Sequence, residues 1–373
     1  MKNKTQKQHI IIIGAGVCGL AIGLELAKNN IHTTIYDKGE IGDGASNHSG
    51  GMLAAGIENE PSEASLWQLT RKSQEMWHDY AKEIETISGL NIDYRKEGTM
   101  MIATNQDDLK HVQFLYEYQQ KLGVKLDFLS ARDIQKQEPY LKTVGGMVCK
   151  DDHQVNSRLF IKALSTAFIK LGGRIHTHTP VSTIHTTNNT TTGIKLADGT
   201  IIEGDGVVVC AGVHSPLIKN IQTPLPVRPL KGQMLALQMD KNSPIINHVV
   251  WSPRSYLIPK SDGTLLIGAT VEESGYNTEN TAGGIYSLLE SAWRCLPAVE
   301  DLPIKEMWAS LRPTSQDDSP ILGTLSPSNT YVATGHHRNG ILLAPITAKI
   351  MADCILNNGK TAKEFASFSA ERF

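Results

Sequence analysis

The stretch from His9 to Asp37, HIIIIGAGVCGLAIGLELAKNNIHTTIYD, constrains the fold more than any other part of the chain. Four isoleucines, Ile10 to Ile13, form an apolar run too short to span a membrane and suited to a strand buried on both faces. Gly14, Gly16 and Gly19 follow in the spacing G-x-G-x-x-G, then a helical pattern through Lys28 and a β-branched run from Ile31 to Tyr36. In a βαβ dinucleotide site the first glycine turns the chain, the second lets a pyrophosphate approach the backbone, and the third lets helix pack on strand. The helix start turns unpaired N–H groups toward the phosphates. Asp37, closing the unit, is placed to accept hydrogen bonds from the adenosine ribose. Strand, glycines, helix, strand and acid in this order point to a bound dinucleotide, with Gly14, Gly16, Val17, Cys18, Gly19, Asp37 and Lys38 as its contacts.

A chain of 373 residues would ordinarily hold two domains, at about 150 residues each. The 36 Lys and Arg nearly balance 38 Asp and Glu, and no block of like charge stands out. That argues against nucleic acid or an anionic membrane as partner. Cys18, Cys149, Cys210, Cys295 and Cys354 are scattered and form no C-x-x-C, which suits a reduced cytoplasmic protein without a structural metal site. The opening MKNKTQKQ resembles the start of a signal peptide, but the glycine turn breaks the apolar run after four residues. Residues 1–8 are expected to be a disordered polar tail.

Past Asp37, residues 41–58 are rich in small and polar side chains. Their backbone is expected beside an extended cofactor, with Ala45, Ser46, Gly50, Gly51 and Met52 as contacts. Helical spacing marks residues 66–88, 106–122, 131–139 and 159–171, with a strand at 98–104. Residues 174–187 alternate as one strand, followed by a Thr/Asn-rich turn and a second strand at 192–196, a hairpin. His176 and His178 would share a strand face, with no third ligand type near enough for a metal. Val181 falls where the strand passes the adenine. Residues 206–212, GVVVCAG, form a second buried strand expected beside the first, its Gly212 closing the cofactor cleft. From Val227 to Thr270 several strands alternate with no helix between them, which implies an antiparallel sheet in a separate layer. A helix at 282–295, a segment at 303–312 leading back to the first domain, a strand at 331–335 and a helix at 341–356 complete the chain. The expected fold is a Rossmann-like α/β cofactor domain with a parallel sheet (9–57, 140–222 and 305–373). A second, α+β substrate domain with an antiparallel sheet takes 58–139 and 223–304.

Residues 335–345, GHHRNGILLAP, join the last strand to the last helix. Glycines allow close backbone approach, and the N–H groups near Gly340 to Leu342 lack intrahelical partners. Pro345 is compatible with a first helical turn. A positive helix end would suit an anionic reduced flavin, so His336, His337, Arg338, Asn339, Gly340, Ile341 and Leu342 join the candidate contacts. Taken together, GAGVCG with Asp37, GVVVCAG, WASLRP and GHHRNGILLAP resemble the D-amino-acid oxidase family of flavoproteins over residues 9–358. The last motif most resembles the glycine oxidases of thiamine biosynthesis.

That resemblance implies non-covalent FAD, an antiparallel substrate domain above the flavin, and oxidation of glycine or another small amino acid with O2 as electron acceptor. It also implies a homo-oligomer, a tetramer in the family. Arg312 in WASLRP matches an arginine that clamps the substrate carboxylate, Arg338 a second substrate arginine, and Tyr256 in RSYLIP a tyrosine whose hydroxyl reaches the same carboxylate. Guanidinium suits that task because it makes charge-assisted, often bidentate bonds to carboxylate. The sequence departs from the family pattern at Asp37, where Glu is commoner, at His337, where an aromatic residue is commoner, and at Arg254, an added cation near the site mouth. A D-amino-acid or sarcosine oxidase, or a dehydrogenase serving another acceptor, shares these motifs. The lack of cysteine between Cys295 and Cys354 counts against a tethered flavin of the sarcosine oxidase kind. From other classes, an NAD-dependent dehydrogenase lacks a use for the second strand motif and GHHRNG, and a non-catalytic flavin protein lacks one for the two arginines.

Overall fold

The computed structural model describes residues 8–373, so the expected tail, apart from Gln8, lies outside the described residues. Its first layer is a six-stranded sheet. Strand His9–Ile13 runs parallel to Gly206–Val209 on one side and to His32–Tyr36 on the other. Arg174–His176 extends one edge, and Thr330–Thr334 with the antiparallel Ile321–Leu325 extends the other. Alternation along the first strand divides its isoleucines between two cores. Ile10 and Ile12 pack with the helices Val17–Lys28, Ser157–Lys170 and Ala344–Leu356, while Ile11 and Ile13 pack with a three-stranded sheet through Ile184, Ile194 and Leu196. All four are at most 4% exposed, and each such side chain contributes about 1.5–3 kcal/mol.

The second layer is an eight-stranded sheet. Its order is Ile304–Ser315, Val227–Gln238, Thr264–Gly268, Tyr256–Pro259, Val249–Trp251, Thr99–Ala103, Gly145–Cys149, Leu126–Ser130. Every pairing is antiparallel except Val249–Trp251 against Thr99–Ala103. Helix Ala282–Cys295 covers one face, packing Leu288, Ala292 and Cys295 against Leu235, Leu257 and Ile267.

Four expectations are corrected. Residues 140–222 and 305–373 were expected with the cofactor sheet, yet Gly145–Cys149 and Ile304–Ser315 pair in the eight-stranded sheet. Gly145–Cys149 is buried throughout because it is an inner strand, and a continuous apolar run does not say which sheet buries it. Helix Ala64–Ser88, expected in the substrate domain, packs on the cofactor layer, where Ser73 Oγ and Trp77 Nε1 both donate to the Leu342 carbonyl, at 2.6 and 2.8 Å. The single strand expected over 174–187 is two, Arg174–His176 and Val181–Thr187, lying in different sheets. His178, at φ 51°, and Pro180 break it, since a left-handed residue and a missing N–H both end a ladder. The two histidines therefore share no face: His176 stacks on Tyr36 and His178 pairs with Glu40. Finally, the last helix begins at Ala344 rather than 341, with Pro345 in its first turn.

Candidate active site

A cavity of about 1510 Å³ lies between the two sheets. Every residue expected to touch cofactor or substrate lines it, Gly19 excepted. Gly19 is a packing glycine: a Cβ there would overlap the Gly14 carbonyl, so any larger residue would push the helix off the first strand.

At the glycine-loop end, Ala15 N–H donates to Asp37 Oδ2 at 2.6 Å and Gly39 N–H to Asp37 Oδ1 at 2.8 Å. The short carboxylate thus braces the loop while still facing the cavity. Ser46 Oγ accepts from Val17 N–H at 3.0 Å, which joins the segment after the second strand to the helix start. Gly16 N–H has no protein acceptor. Lys38 Nζ meets His214 Nε2 at 2.9 Å on the rim, and Val181 and Gly212 line the same end.

Across the cavity, residues 335–343 form irregular turns ahead of the last helix. The N–H groups of Gly340, Ile341 and Leu342 donate to no protein acceptor. Ser73 and Trp77 hold this turn from behind through the Leu342 carbonyl. His336 is buried, bonds Thr347 Oγ1 at 3.0 Å and touches Cys18 Sγ. Burial brings its pKa down to about 4. His337, whose Nδ1 lies 2.9 Å from Thr314 Oγ1, falls to about 3 through burial and then the charges of Arg338, Arg312 and Arg228. Both rings are neutral at pH 7. Burial also pushes the Cys18 thiol up to about 12, so it is no nucleophile. Two sets of free N–H groups facing one long cavity fit an extended dinucleotide. Gly16 and the helix start would hold the pyrophosphate, and residues 340–342 the edge of the ring that becomes electron-rich on reduction.

The third part of the site comes from the eight-stranded sheet. Arg312 reaches across Gly232, and its Nη1 donates to the Thr270 and Lys231 carbonyls at 3.2 and 3.4 Å. Tyr256 is the polar side chain next to it, and no carboxylate pairs with it among the described residues. Tyr256 lies beside it, packed on Trp251 with ring centroids 5.3 Å apart. Burial raises the Tyr256 phenol and the Arg312 charge opposes that rise, so the hydroxyl stays protonated. Two glycines that the sequence did not single out make this possible. A Cβ on Gly232 would lie 2.5 Å from Arg312 Nη2, and one on Gly268 would lie 2.6 Å from the Tyr256 ring. Only strand pairing brings these positions beneath the two side chains, so spacing along the chain carries no sign of them.

Arg338, expected as a second substrate arginine, lines the cavity and is held there by two carboxylates. Its Nε donates to Glu58 Oε2 at 3.0 Å, Nη1 to Glu63 Oε1 at 2.6 Å, and Nη2 to Glu63 Oε2 and the Glu58 carbonyl. Four of its five N–H donors are thereby engaged, which leaves one on Nη1 in a side chain that lines the cavity. Burial works against its charge, but Glu58 and Glu63 more than offset that and hold its pKa above the ordinary value. Arg254, by contrast, is exposed at the cavity wall and enters no ion pair among the described residues.

Comparison with known proteins accords with this geometry. The family model described as FAD dependent oxidoreductase matches residues 9–354. Over 98% of both chains, the sequence is 31% identical to the glycine oxidase of Bacillus licheniformis. It is 33% identical to the bifunctional protein ThiO/ThiG of Trichormus variabilis, over 98% of this chain and 55% of that one. The chain therefore spans about half the length of that relative. The crystal structure of glycine oxidase from Geobacillus kaustophilus superposes with a TM-score of 0.91 at 28% identity, covering 98% of this chain and 100% of the other. A glycine turn, a free-amide turn and a bare arginine around one cavity, in a chain matched over nearly its whole length, place this protein in the FAD-dependent oxidoreductase family that includes the D-amino-acid oxidases.

Proposed function

We propose that this chain oxidises glycine and other small amino acids or amines, giving an imine that hydrolyses to glyoxylate and ammonia while O2 becomes H2O2. The observation that carries the reading is Arg312, held by two carbonyls over Gly232 with no carboxylate of its own. A half-buried guanidinium with donors facing a cavity is matched by a substrate carboxylate. Tyr256 adds a hydroxyl donor on the same side.

FAD, when bound, supplies the two-electron acceptor. Arg312, Tyr256 and the walls around them supply orientation and dryness. Arg312 and Tyr256 fix the carboxylate, which leaves the substrate Cα–H one direction to point. The neutral His336 and His337 keep additional positive charge away from the free-amide turn. Trp251 and Met234 line the wall near Tyr256 and exclude water there. Thiazole synthesis in thiamine biosynthesis is the proposed destination of the imine, on the similarity to ThiO/ThiG. Five free cysteines suit a cytoplasmic location. No helix among the described residues is long and apolar enough to cross a membrane. A homo-oligomer, tetrameric in the family, is part of the proposal.

The test is to purify the protein with FAD and measure peroxide release with glycine, sarcosine and small D-amino acids. Glycine-dependent peroxide supports the reading. Activity only with artificial acceptors would replace the oxidase with a dehydrogenase.

A further inference from the structure

The cavity has two electrical poles, and carboxylate binding at Arg312 engages only one. Arg312 leaves an unpaired positive charge on the eight-stranded sheet. Opposite in sign is the cluster around Arg338, where one guanidinium serves both Glu58 and Glu63 and leaves one negative charge over. Of these two carboxylates only Glu58 lines the main cavity. Its side chain is 10% exposed. Oε2 is taken by Arg338 Nε, whereas Oε1 accepts no hydrogen bond from the protein. Glu58 is also near enough to Tyr256 for its charge to raise the phenol, so the carboxylate and the Arg312–Tyr256 pair face one space. A small amino acid arrives as a zwitterion, with one charge of each sign. A cavity-lining carboxylate oxygen with no donor among the described residues is what its ammonium group lacks in the Arg312 half of the site.

We propose that Glu58 is the ammonium-binding pole of the substrate site and the acceptor of the proton that the ammonium sheds before oxidation. This rests on the amino-acid reading above and deepens it. An ammonium has no lone pair, so hydride cannot leave its carbon until one N–H bond breaks. That proton passes to Glu58 Oε1, the N–H electron pair stays on nitrogen as the lone pair, and the carboxylate becomes a neutral carboxyl. The Arg338 bond to Oε2 leaves Oε1 as the carboxylate oxygen without a donor among the described residues. Burial pushes the Glu58 carboxyl up, Arg338 pulls it down, and Asp152 and Glu63 raise it again, to about 7 overall. Tyr256, Arg312 and Arg254, with Ser252, Ser255 and Ser310, are the other polar and charged groups that line the cavity from the facing sheet and its turns. A proton acceptor poised near neutrality is suited to the exchange.

The test compares FAD-loaded wild type with Glu58→Gln, Glu58→Asp and Glu63→Gln. Gln keeps the acceptor for Arg338, and Glu63→Gln removes the same kind of ion pair outside the main cavity. In Glu58→Gln, kcat/KM for glycine at pH 7 is expected to fall about 100-fold, the low end for a general base. Acetate, a carboxylate without an ammonium, should still perturb the flavin spectrum with a Kd within about threefold of wild type. The wild-type kcat/KM should level off above about pH 7, whereas Glu58→Gln should keep rising as the substrate amine itself deprotonates. Glu58→Asp should recover part of the loss, and Glu63→Gln should keep a plateau, with its onset moved to lower pH because the Glu63 charge no longer raises the Glu58 carboxyl. Glycine kinetics and pH profile unchanged in Glu58→Gln would overturn the proposal, and so would equal loss of glycine and acetate. Wild type that binds acetate yet oxidises no small amino acid would overturn the amino-acid reading itself.

Discussion

The two ends of the cavity are built by opposite means. The cofactor end is main chain: the Gly14–Gly19 turn, the amides of Gly340 to Leu342, and Asp37 bracing Ala15 and Gly39. Each comes from one short continuous segment. The substrate end is side chain. Arg312, Tyr256, Gly232, Gly268 and Glu58 come from five separate segments that meet only after the eight-stranded sheet has paired. Backbone recognition needs a local conformation and is tolerant of neighbours, so it suits a ligand shared by many enzymes. Side-chain recognition needs long-range register, and that is where substrate choice can differ between relatives.

Substitutions at the two ends should therefore fail differently. Gly19→Val should have the largest effect, because its side chain has nowhere to go but into the Gly14 carbonyl. The expected outcome is loss of folded, FAD-containing protein, read as the ratio of flavin to protein absorbance. Arg312→Ala should leave that ratio unchanged and raise KM for glycine by about 100-fold, as expected for loss of a charged hydrogen bond worth about 3 kcal/mol. Equal flavin loss in both variants would erase the distinction between the ends.

Gly232→Ala sharpens it. The added methyl would lie 2.5 Å from Arg312 Nη2, displacing the guanidinium without removing its charge. KM should rise about tenfold, since a displacement of about 1 Å already costs up to two orders of magnitude in rate, with normal flavin content. An unchanged KM would mean that Arg312 has room to move and is not held by Gly232.

How much of this was legible in the chain follows the same division. The four isoleucines, the glycine spacing and Asp37 lie within 29 consecutive residues, His9 to Asp37, and their roles are local consequences of that order. The parallel pairing of Gly206–Val209 beside the first strand was also readable, as a second fully apolar run. Arg312 could be found only through a family motif, and nothing along the chain marks Gly232 or Gly268 as its floor. The partners of Arg338 were hidden for a related reason. A motif gives a residue's position but not its partners, and Glu58 and Glu63 lie some 280 and 275 residues earlier. Strand membership failed where burial was ambiguous, as at Gly145–Cys149, and where Pro180 interrupted an otherwise regular alternation.

The smallest expected effect concerns Lys260, which lies beneath the cofactor end. Its Nζ donates to the Gly50 and Val155 carbonyls and to Gln154 Oε1, at 3.0, 2.7 and 3.0 Å, with no carboxylate among them. Burial lowers its pKa from 10.5 to about 7. A depressed pKa means that the folded state gives up the proton more readily than the unfolded one. Its contribution to stability is therefore full above pH 10.5 and lost as pH falls toward 7. Lys260→Met should flatten this part of the stability curve, measured as Tm against pH. A slope identical to wild type would show that Lys260 keeps its charge throughout.

Anaerobic mixing of the FAD-loaded protein with glycine tests the central claim most directly, because it reads electron transfer before oxygen takes part. Flavin absorbance in the wild type should bleach at glycine concentrations that leave Arg312→Ala oxidised. A flavin that stays oxidised with glycine, sarcosine and small D-amino acids alike would contradict the assignment of this cavity to amino-acid oxidation.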